Sequence, residues 1–585
     1  YSGDENALQI VNAVEEGALS ENALDAACWN MLRLIFKYAQ PEKPHSLLPQ
    51  LTKELADKLT RTPSAEHQTM HQLAADALTK SAVLLKNDTM LPLKESDNIA
   101  VIGQMAKRPQ MQGGGSSVIH TLWADSFTGI LDSKNIPYLY SPGYTRDKTN
   151  KKMLADAVDK AKKASQVLLF LGLLPTDACE GIDRSHLRLP DGQLELLKAV
   201  SAANKNTCVV LHTGGPVEMS WLSSVRSVLC LHLGGEATGE AAFRLLYGKD
   251  NPSGKLTETW PLKLQDTPAF EHFPMGPNIV TYNESLYVGY RYYNKANIPV
   301  LFPFGYGLSY TAFAYSNLLI AENNIGKNQP LKLSFTLQNT GDVYGEETAQ
   351  VYLARKNSSH WQPEQELKSF CKIALQPGES KQVEVEIAYK DLGFYAPDVH
   401  AHVVEGDTFE CRVGNSSADT PLRGTFEVEG ETLTPSLPFS AQSVYAQVTN
   451  NQFNSDDFVM LMGGHPLPHN TAPQKGNYDL TTPVCQMESG WGRFFRWVIC
   501  KIAAFSIGFS GDSKSNRIAG RAAGNDLPLK SPPSFSGGLI SHRTAAAMLD
   551  LANGKGSFFK LLGSLSKKSV DAKVEEAQQK YLYKK

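Results

Sequence analysis

The sequence gives its eight cysteines no spacing that could hold a metal or a disulfide framework. Cys28, Cys179, Cys208, Cys230, Cys371, Cys411, Cys485 and Cys500 are scattered over 585 residues without one CxxC pair, so neither a zinc site nor a disulfide-stapled scaffold is expected. Nor is any other cofactor. The chain lacks GxSxG and HExxH, and Gly113-Gly114-Gly115-Ser116-Ser117 lacks the Lys-Ser/Thr ending of a phosphate loop. That glycine run suits instead a loop whose backbone comes close to another surface. There is no concentrated basic stripe and the net charge is −3, so nucleic acid is not an expected partner. The longest membrane candidate, Phe494 to Gly508, contains Arg496 and Lys501. At about fifteen residues it falls short of the roughly twenty that a spanning helix needs, and it reads as a buried or partner-facing helix. Tyr1 is not a methionine and no signal peptide follows it, which suggests a chain that starts inside a longer one. Unpaired cysteines favour a reducing, cytoplasmic location.

What is present is a soluble globular composition, 42% hydrophobic and 20% charged, long enough for roughly three or four domains. Residues 166–200 organise the rest. An apolar run from Val167 to Leu174 predicts a strand buried on both faces, as in a parallel sheet covered by helices. A helix follows with Leu194, Leu197 and Val200 on one side. Between them lies a loop holding Glu180, Asp183 and Arg184, where an open sheet of this kind places its ligands. The plainer alternative is a surface Asp183–Arg184 ion pair beside a solvated Glu180.

Before this region, helices over 7–14 and 20–35 are predicted, the second capped by Ser20, with Leu24, Cys28, Met31, Leu32 and Ile35 as a buried stripe. From 98 to 247 strands and helices alternate, the pattern of a layered α/β domain. The aromatic stretch ending in Phe304-Gly305-Tyr306-Gly307-Leu308 reads as packing. From about 313 the period becomes two, with turns at Gly341, Pro377-Gly378 and Gly406, which predicts a β-sandwich. After 436 helix-compatible sequence returns, clearest over Arg543 to Asn553.

Several stretches in succession resemble the C-terminal portion of glycoside hydrolase family 3, the β-glucosidase and β-xylosidase family. They are VLLKNDTMLPL at 83–93, IGQMAKRPQMQGGGSS at 102–117, CEGIDRSHLRLPDGQ at 179–193, GGPVEMSW at 214–221, NPSGKLTETWP at 251–261, Tyr282-Asn283-Glu284 with VGYRYY, and PFGYGLSYTAF at 303–313. NTGDVYGEETAQVYL and ELKSFCKIALQPGES resemble that family's fibronectin type III-like domain, and NDLPLKSPPSFSGG an extension of some bacterial members. The resemblance implies a multidomain chain. Residues 1–65 would be the last helices of a (β/α)₈ barrel with a linker, 66–312 an α/β sandwich domain, 313–435 a fibronectin type III-like β-sandwich, and 436–585 a partly helical extension.

It implies a retaining β-glycosidase acting on β-linked glycosides. Glu180 would be the acid/base residue, and the aspartate nucleophile would belong to the barrel, outside this chain. This chain alone would then be inactive, with the barrel as its intramolecular partner and self-association as a further expectation. Ser116, Ser117, Trp123, Asp183 and Arg184 are candidates for lining the sugar cleft, with core packing as the alternative for Trp123 and holding the loop as the favoured task for Asp183 and Arg184. No metal is implied. The competing function is a non-catalytic carbohydrate-binding or protein-interaction module, for which Glu180 within its motif would have no use.

Overall fold

The structure, a computed structural model, describes residues 4–38, 65–114, 117–119, 121, 123–179, 182–273, 279–396, 399–434, 443–450, 452–468, 470–507, 513–535 and 540–565. It divides into two compact units, one spanning Ser64–Asn470 and the other made of Tyr1–Pro63 with Thr471–Lys585. The latter opens with helices α1 (Asp4–Glu15) and α2 (Glu21–Tyr38). Ser20 caps α2, its hydroxyl accepting from the Ala23 amide at 3.2 Å. The expected buried stripe on α2 differs from what is found. Cys28 is exposed, and Met31, Leu32 and Ile35 are 59%, 41% and 48% exposed. A helical period shows that one face is apolar; it does not show what covers that face.

The larger unit begins with α3 (Ala65–Ser81), followed by β1 (Val83–Asn87), β2 (Ile99–Ile102), α4 (Phe127–Ser133), β3 (Tyr138–Ser141), α5 (Lys151–Lys163), β4 (Gln166–Gly172), α6 (Asp191–Ala203), β5 (Thr207–His212), β6 (Ser227–Cys230) and α7 (Thr238–Leu246). The six strands form one sheet in the order β1-β6-β5-β4-β2-β3. β1 runs antiparallel to β6 and the remaining pairings are parallel. All of β5 and all but the first residue of β4 are buried, as a sheet covered on both faces requires. Ser126 and Asn150 cap α4 and α5, their side-chain oxygens accepting from Gly129 and Met153 amides at 3.1 and 3.0 Å. The strand order reverses between β2 and β4. Loops leaving the carboxyl ends there diverge and open a crevice.

A short pair, β7 (Trp260–Pro261) and β8 (Val300–Phe302), with α8 (Tyr290–Lys295) between them, leads into the aromatic stretch. Its side chains pack as expected. The Tyr306 hydroxyl donates to the Leu85 carbonyl at 3.2 Å and that of Tyr310 to Leu245 at 2.9 Å. Gly305 has φ +81°, and a Cβ there would lie 2.0 Å from Gln350 Oε1, so this turn admits only glycine.

The period-two region builds a two-sheet β-sandwich from β9 (Phe313–Ile320), β10 (Asn324–Ile325), β11 (Leu331–Asn339), β12 (Gly345–Arg355), β13 (Glu366–Leu375), β14 (Ser380–Ile387), β15 (Phe394–Ala396), β16 (Ala401–Val403), β17 (Asp407–Gly414) and β18 (Leu422–Val428). The sheets run β10-β18-β17-β12-β13 and β14-β11-β9, with β15-β16 as a separate hairpin. Leu331, Leu333, Phe335 and Leu337 point alternately inward from β11. Residues 443–461, grouped with the extension by the sequence reading, pack within this larger unit. Tyr445, Val448 and Phe453, ahead of α9 (Ser455–Leu461), join Tyr287, Tyr292 and Tyr293 in one aromatic cluster.

The remainder of the smaller unit is helical: α10 (Gly490–Ile507), α11 (Ser513–Asp526), α12 (Pro532–Phe535), α13 (His542–Ala552) and α14 (Phe558–Ser564). Among the described residues no helix is long and apolar enough to cross a membrane.

Candidate active site

The crevice follows from the sheet. The loops leaving β2, β4, β5 and β6, four neighbouring parallel strands, together line a cavity of ≈ 1110 Å³. The β2 loop contributes Met111 to Gly114, Ser117, Ile119 and Thr121. The β4 loop contributes Asp177 to Cys179 and Ile182 to Arg184, and Gly214, Leu233, Gly235 and Glu236 close the far side.

The glycine run works by close approach. The Gly114 amide donates to the Ala178 carbonyl at 2.9 Å, and Gly114 pairs with Cys179 as an isolated parallel bridge. A Cβ on Gly113 would lie 2.6 Å from the Ala178 oxygen, and one on Gly114 3.0 Å from Cys179 Sγ. So the residue immediately before Glu180 is pinned against the β2 loop at the cavity wall. Glu180 and Ser116 themselves lie outside the described residues.

The other sequence candidates are distributed around this wall. Ser117 lines the cavity, its hydroxyl donating to the Gly114 carbonyl at 3.0 Å. Asp183 lines it too and is exposed. Arg184 is half-buried and ties two loops together, Nη1 donating to the Pro216 carbonyl at 2.8 Å. Burial holds its guanidinium below the usual pKa, and the carboxylates of Asp177, Glu218 and Glu258 pull it back up. Burial in turn pushes the Glu258 carboxyl up, while Arg184 pulls it down. Among the described residues Asp183 and Arg184 form no ion pair; Arg184 is bound to the Pro216 carbonyl, and the charges of Asp177, Glu218 and Glu258 act on it from a distance.

Trp123 stacks on the His71 ring at 4.5 Å. His71 also lies 3.1 Å from Asp125 Oδ2 and 3.4 Å from Glu236 Oε1. Asp125 caps α7, accepting from the Gly239 and Glu240 amides at 2.6 and 3.1 Å, and Glu236 accepts from the Thr121 hydroxyl. This polar corner, drawn from positions 71, 121, 125 and 236, had no spacing by which the sequence could announce it. Gln193 was missed as well. It is buried on α6 and clamps the end of β4, accepting from the Gly172 amide at 2.9 Å and donating to the Gly172 carbonyl at 3.0 Å. Its signal was a polar residue on the apolar face of a helix. His212, at the end of β5, is fully buried, and burial lowers its pKa to about 4. It is a neutral ring packed on Phe170.

Arg184→Met should loosen the loop that follows Glu180. It removes the bond to the Pro216 carbonyl and the cation whose charge acts on Glu218 and Glu258. Expected are faster amide exchange over residues 177–187 and a stability loss of about 1–3 kcal/mol, the cost of orphaning buried polar groups. Unchanged exchange would show that Arg184 does not hold the loop.

Comparison with known proteins identifies the class. Residues 82–310 match the glycosyl hydrolase family 3 C-terminal domain, and residues 347–417 the fibronectin type III-like domain. The chain belongs to glycoside hydrolase family 3. It is 38% identical over 426 residues to thermostable beta-glucosidase B of Acetivibrio thermocellus, covering 72% of this chain and 54% of that protein. It is 32% identical over 495 residues to an exo-alpha-(1->6)-L-arabinopyranosidase of Bifidobacterium breve, covering 80% of this chain and 63% of that one. Among solved structures, a Bifidobacterium adolescentis GH3 beta-glucosidase superposes with a TM-score of 0.66 at 32% identity over 78% of this chain and 64% of its own. The chain thus spans between half and two thirds of the length of these relatives.

Proposed function

We propose that this chain supplies the acid/base half of a retaining β-glycosidase acting on β-linked oligosaccharides or glycosides, with Glu180 as the acid/base residue. The observation that supports the reading is the anchoring of Cys179, the residue before Glu180 in the sequence, by Gly114 at the wall of a cavity on the switch-point crevice. A retaining glycosidase needs two carboxyl groups about 5–5.5 Å apart. One attacks the anomeric carbon; the other protonates the departing oxygen and then deprotonates the incoming water. To act as an acid near neutrality, Glu180 needs a raised pKa, from apolar surroundings or from the nucleophile's charge.

The nucleophile is assigned to no residue of this chain and falls to a barrel domain. Ser116, Ser117 and Asp183 are proposed to face the sugar, Arg184 to hold the acid/base loop, and Trp123 to back the rim through His71. The domain division 1–65, 66–312, 313–435 and 436–585 is retained as a proposal, with 443–461 serving as a strap on the α/β domain. A cytoplasmic location is proposed from eight free thiols.

The test is an assay of the 585-residue chain on nitrophenyl β-glucoside and β-xyloside, alone and joined to a family 3 barrel. The chain alone is expected to show no turnover, because loss of the nucleophile removes the covalent route. Joined to the barrel it should turn over. Turnover by the chain alone in the ordinary range of about 1–10³ per second would contradict the division of labour, and no turnover with the barrel would favour a non-catalytic binding module.

A further inference from the structure

Among its described residues the smaller unit carries an exposed apolar surface. α10 is two-faced. Phe495, Ile499 and Ala504 are buried, the first two in a core with Leu529, Met548, Leu551 and Leu561. α11 presses closely on the same side, since a Cβ on Gly520 would meet the Ala503 carbonyl at 2.6 Å. Beside this buried side stand Trp491, Phe494 and Trp497, which are 37%, 48% and 58% exposed, Trp491 stacking on the buried Phe495 ring at 5.7 Å. These rings form a continuous ridge. Trp491 stacks on Phe558 of α14 at 5.7 Å and meets Phe494 edge-on at 5.8 Å, and Phe494 stacks on Trp497 at 6.3 Å. On α14, Phe559 is 82% exposed, and Leu562 and Leu565 continue the apolar surface.

The charges carried by α10 and α14 themselves have one sign. α10 holds Arg493, Arg496 and Lys501 and no acidic residue, and Lys501 lies over the Trp497 ring at 5.8 Å. Residues 471–585 contain seventeen Lys and Arg against eight Asp and Glu, within a chain whose net charge is −3. Lys560 of α14 is paired with Asp550 at 2.8 Å and Arg496 is turned to Asn525 of α11 at 2.7 Å, so Arg493 and Lys501 are the charges left beside the rings on α10, and two such ridges face to face would set cation against cation. The ridge suits a surface that is apolar below and negative above.

We propose that α10 and α14 form a docking face for an anionic phospholipid surface. Trp491, Phe494, Trp497 and Phe559 enter the headgroup boundary while Lys501 and its neighbours meet lipid phosphates. α10 lies along such a surface and does not cross it.

The test is sedimentation of the full chain with vesicles of phosphatidylcholine alone and of equal parts phosphatidylcholine and phosphatidylglycerol. Binding is expected to the mixed vesicles, at least about tenfold weaker binding to the neutral ones, and release by added salt. Lys501→Glu should weaken binding by about fivefold per unit of charge changed. Phe494→Ser with Trp497→Ser should abolish it. Phe36→Ser, on the exposed face of α2, should leave it unchanged. Absence of binding to the mixed vesicles, equal binding to both kinds, or binding indifferent to Lys501→Glu would overturn the proposal. So would a dimer in light scattering that Trp497→Ser dissociates without any lipid binding, which would assign the face to a second copy. Lys501 is exposed, so its variant keeps the test open even if the double aromatic variant does not fold.

Discussion

Lys255→Met is expected to destabilise the larger unit by about 3–5 kcal/mol at neutral pH, the usual result of removing one partner from a buried ion pair. Lys255 Nζ lies 2.9 Å from Glu347 Oε1, and their side chains are 12% and 7% exposed. Lys255 also donates to the Gly307 carbonyl at 2.9 Å. It thus joins the aromatic turn of the α/β domain to strand β12 of the sandwich. Burial pushes the Glu347 carboxyl above its ordinary pKa, and Lys255 is the main influence pulling it back down.

Without the lysine, burial is less opposed and the folded-state pKa rises further above the unfolded value. The folded state then binds the proton more tightly than the unfolded one. Stability of the variant should therefore fall as pH rises through the window between the two pKa values. Urea unfolding should show a large deficit at about pH 7 that shrinks towards about pH 4. Adding Glu347→Gln to Lys255→Met should recover much of the neutral-pH loss, because the buried charge is gone. A deficit independent of pH would mean that Lys255 acts by packing alone.

The second large effect concerns catalysis in a protein that joins this chain to a family 3 barrel. Glu180→Ala is expected to lower the rate on disaccharides by about 10²–10⁴-fold, the range typical of general acid catalysis. Sugars are poor leaving groups and need the proton most. Aryl glycosides with acidic phenols leave largely unaided, so their glycosylation step should suffer much less. Their covalent intermediate should then accumulate, because help to the attacking water is lost as well. A burst of phenol followed by slow turnover is the kinetic sign. Asp183→Asn should lower all substrates alike. An equal loss across leaving groups for Glu180→Ala would remove it from the acid role.

Much of the fold was legible because burial leaves a period in the sequence. The apolar run of β4 announced a strand covered on both faces, and alternation over Leu331 to Leu337 announced the sandwich. Gly113 and Gly114 were legible as a close approach, though not that the approached atoms would be Ala178 and Cys179. PFGYGLSY was legible as packing because large rings between glycines bury well.

The stripe on α2 was misjudged because periodicity carries no information about the covering partner. Arg184 was read with its sequence neighbour Asp183, whereas folding binds it to the Pro216 carbonyl. The corner of His71, Asp125 and Glu236 joins residues whose only relation is that the sheet brings α3, the β2 loop and the start of α7 together. Residues 443–461 have little period of their own, since their order comes from rings packed on Tyr287 and Tyr292.

The most direct test of the central claim is product analysis of the joined Glu180→Ala protein turning over a nitrophenyl β-glycoside with added azide. Azide attacks the covalent intermediate without needing a general base. The account predicts that turnover is restored and that the product is the β-glycosyl azide, with no such rescue for Asp183→Asn or Glu236→Gln. Failure of azide to restore Glu180→Ala, together with rescue of another carboxylate variant such as Glu236→Gln, would contradict it and move the acid/base role elsewhere on the cavity wall.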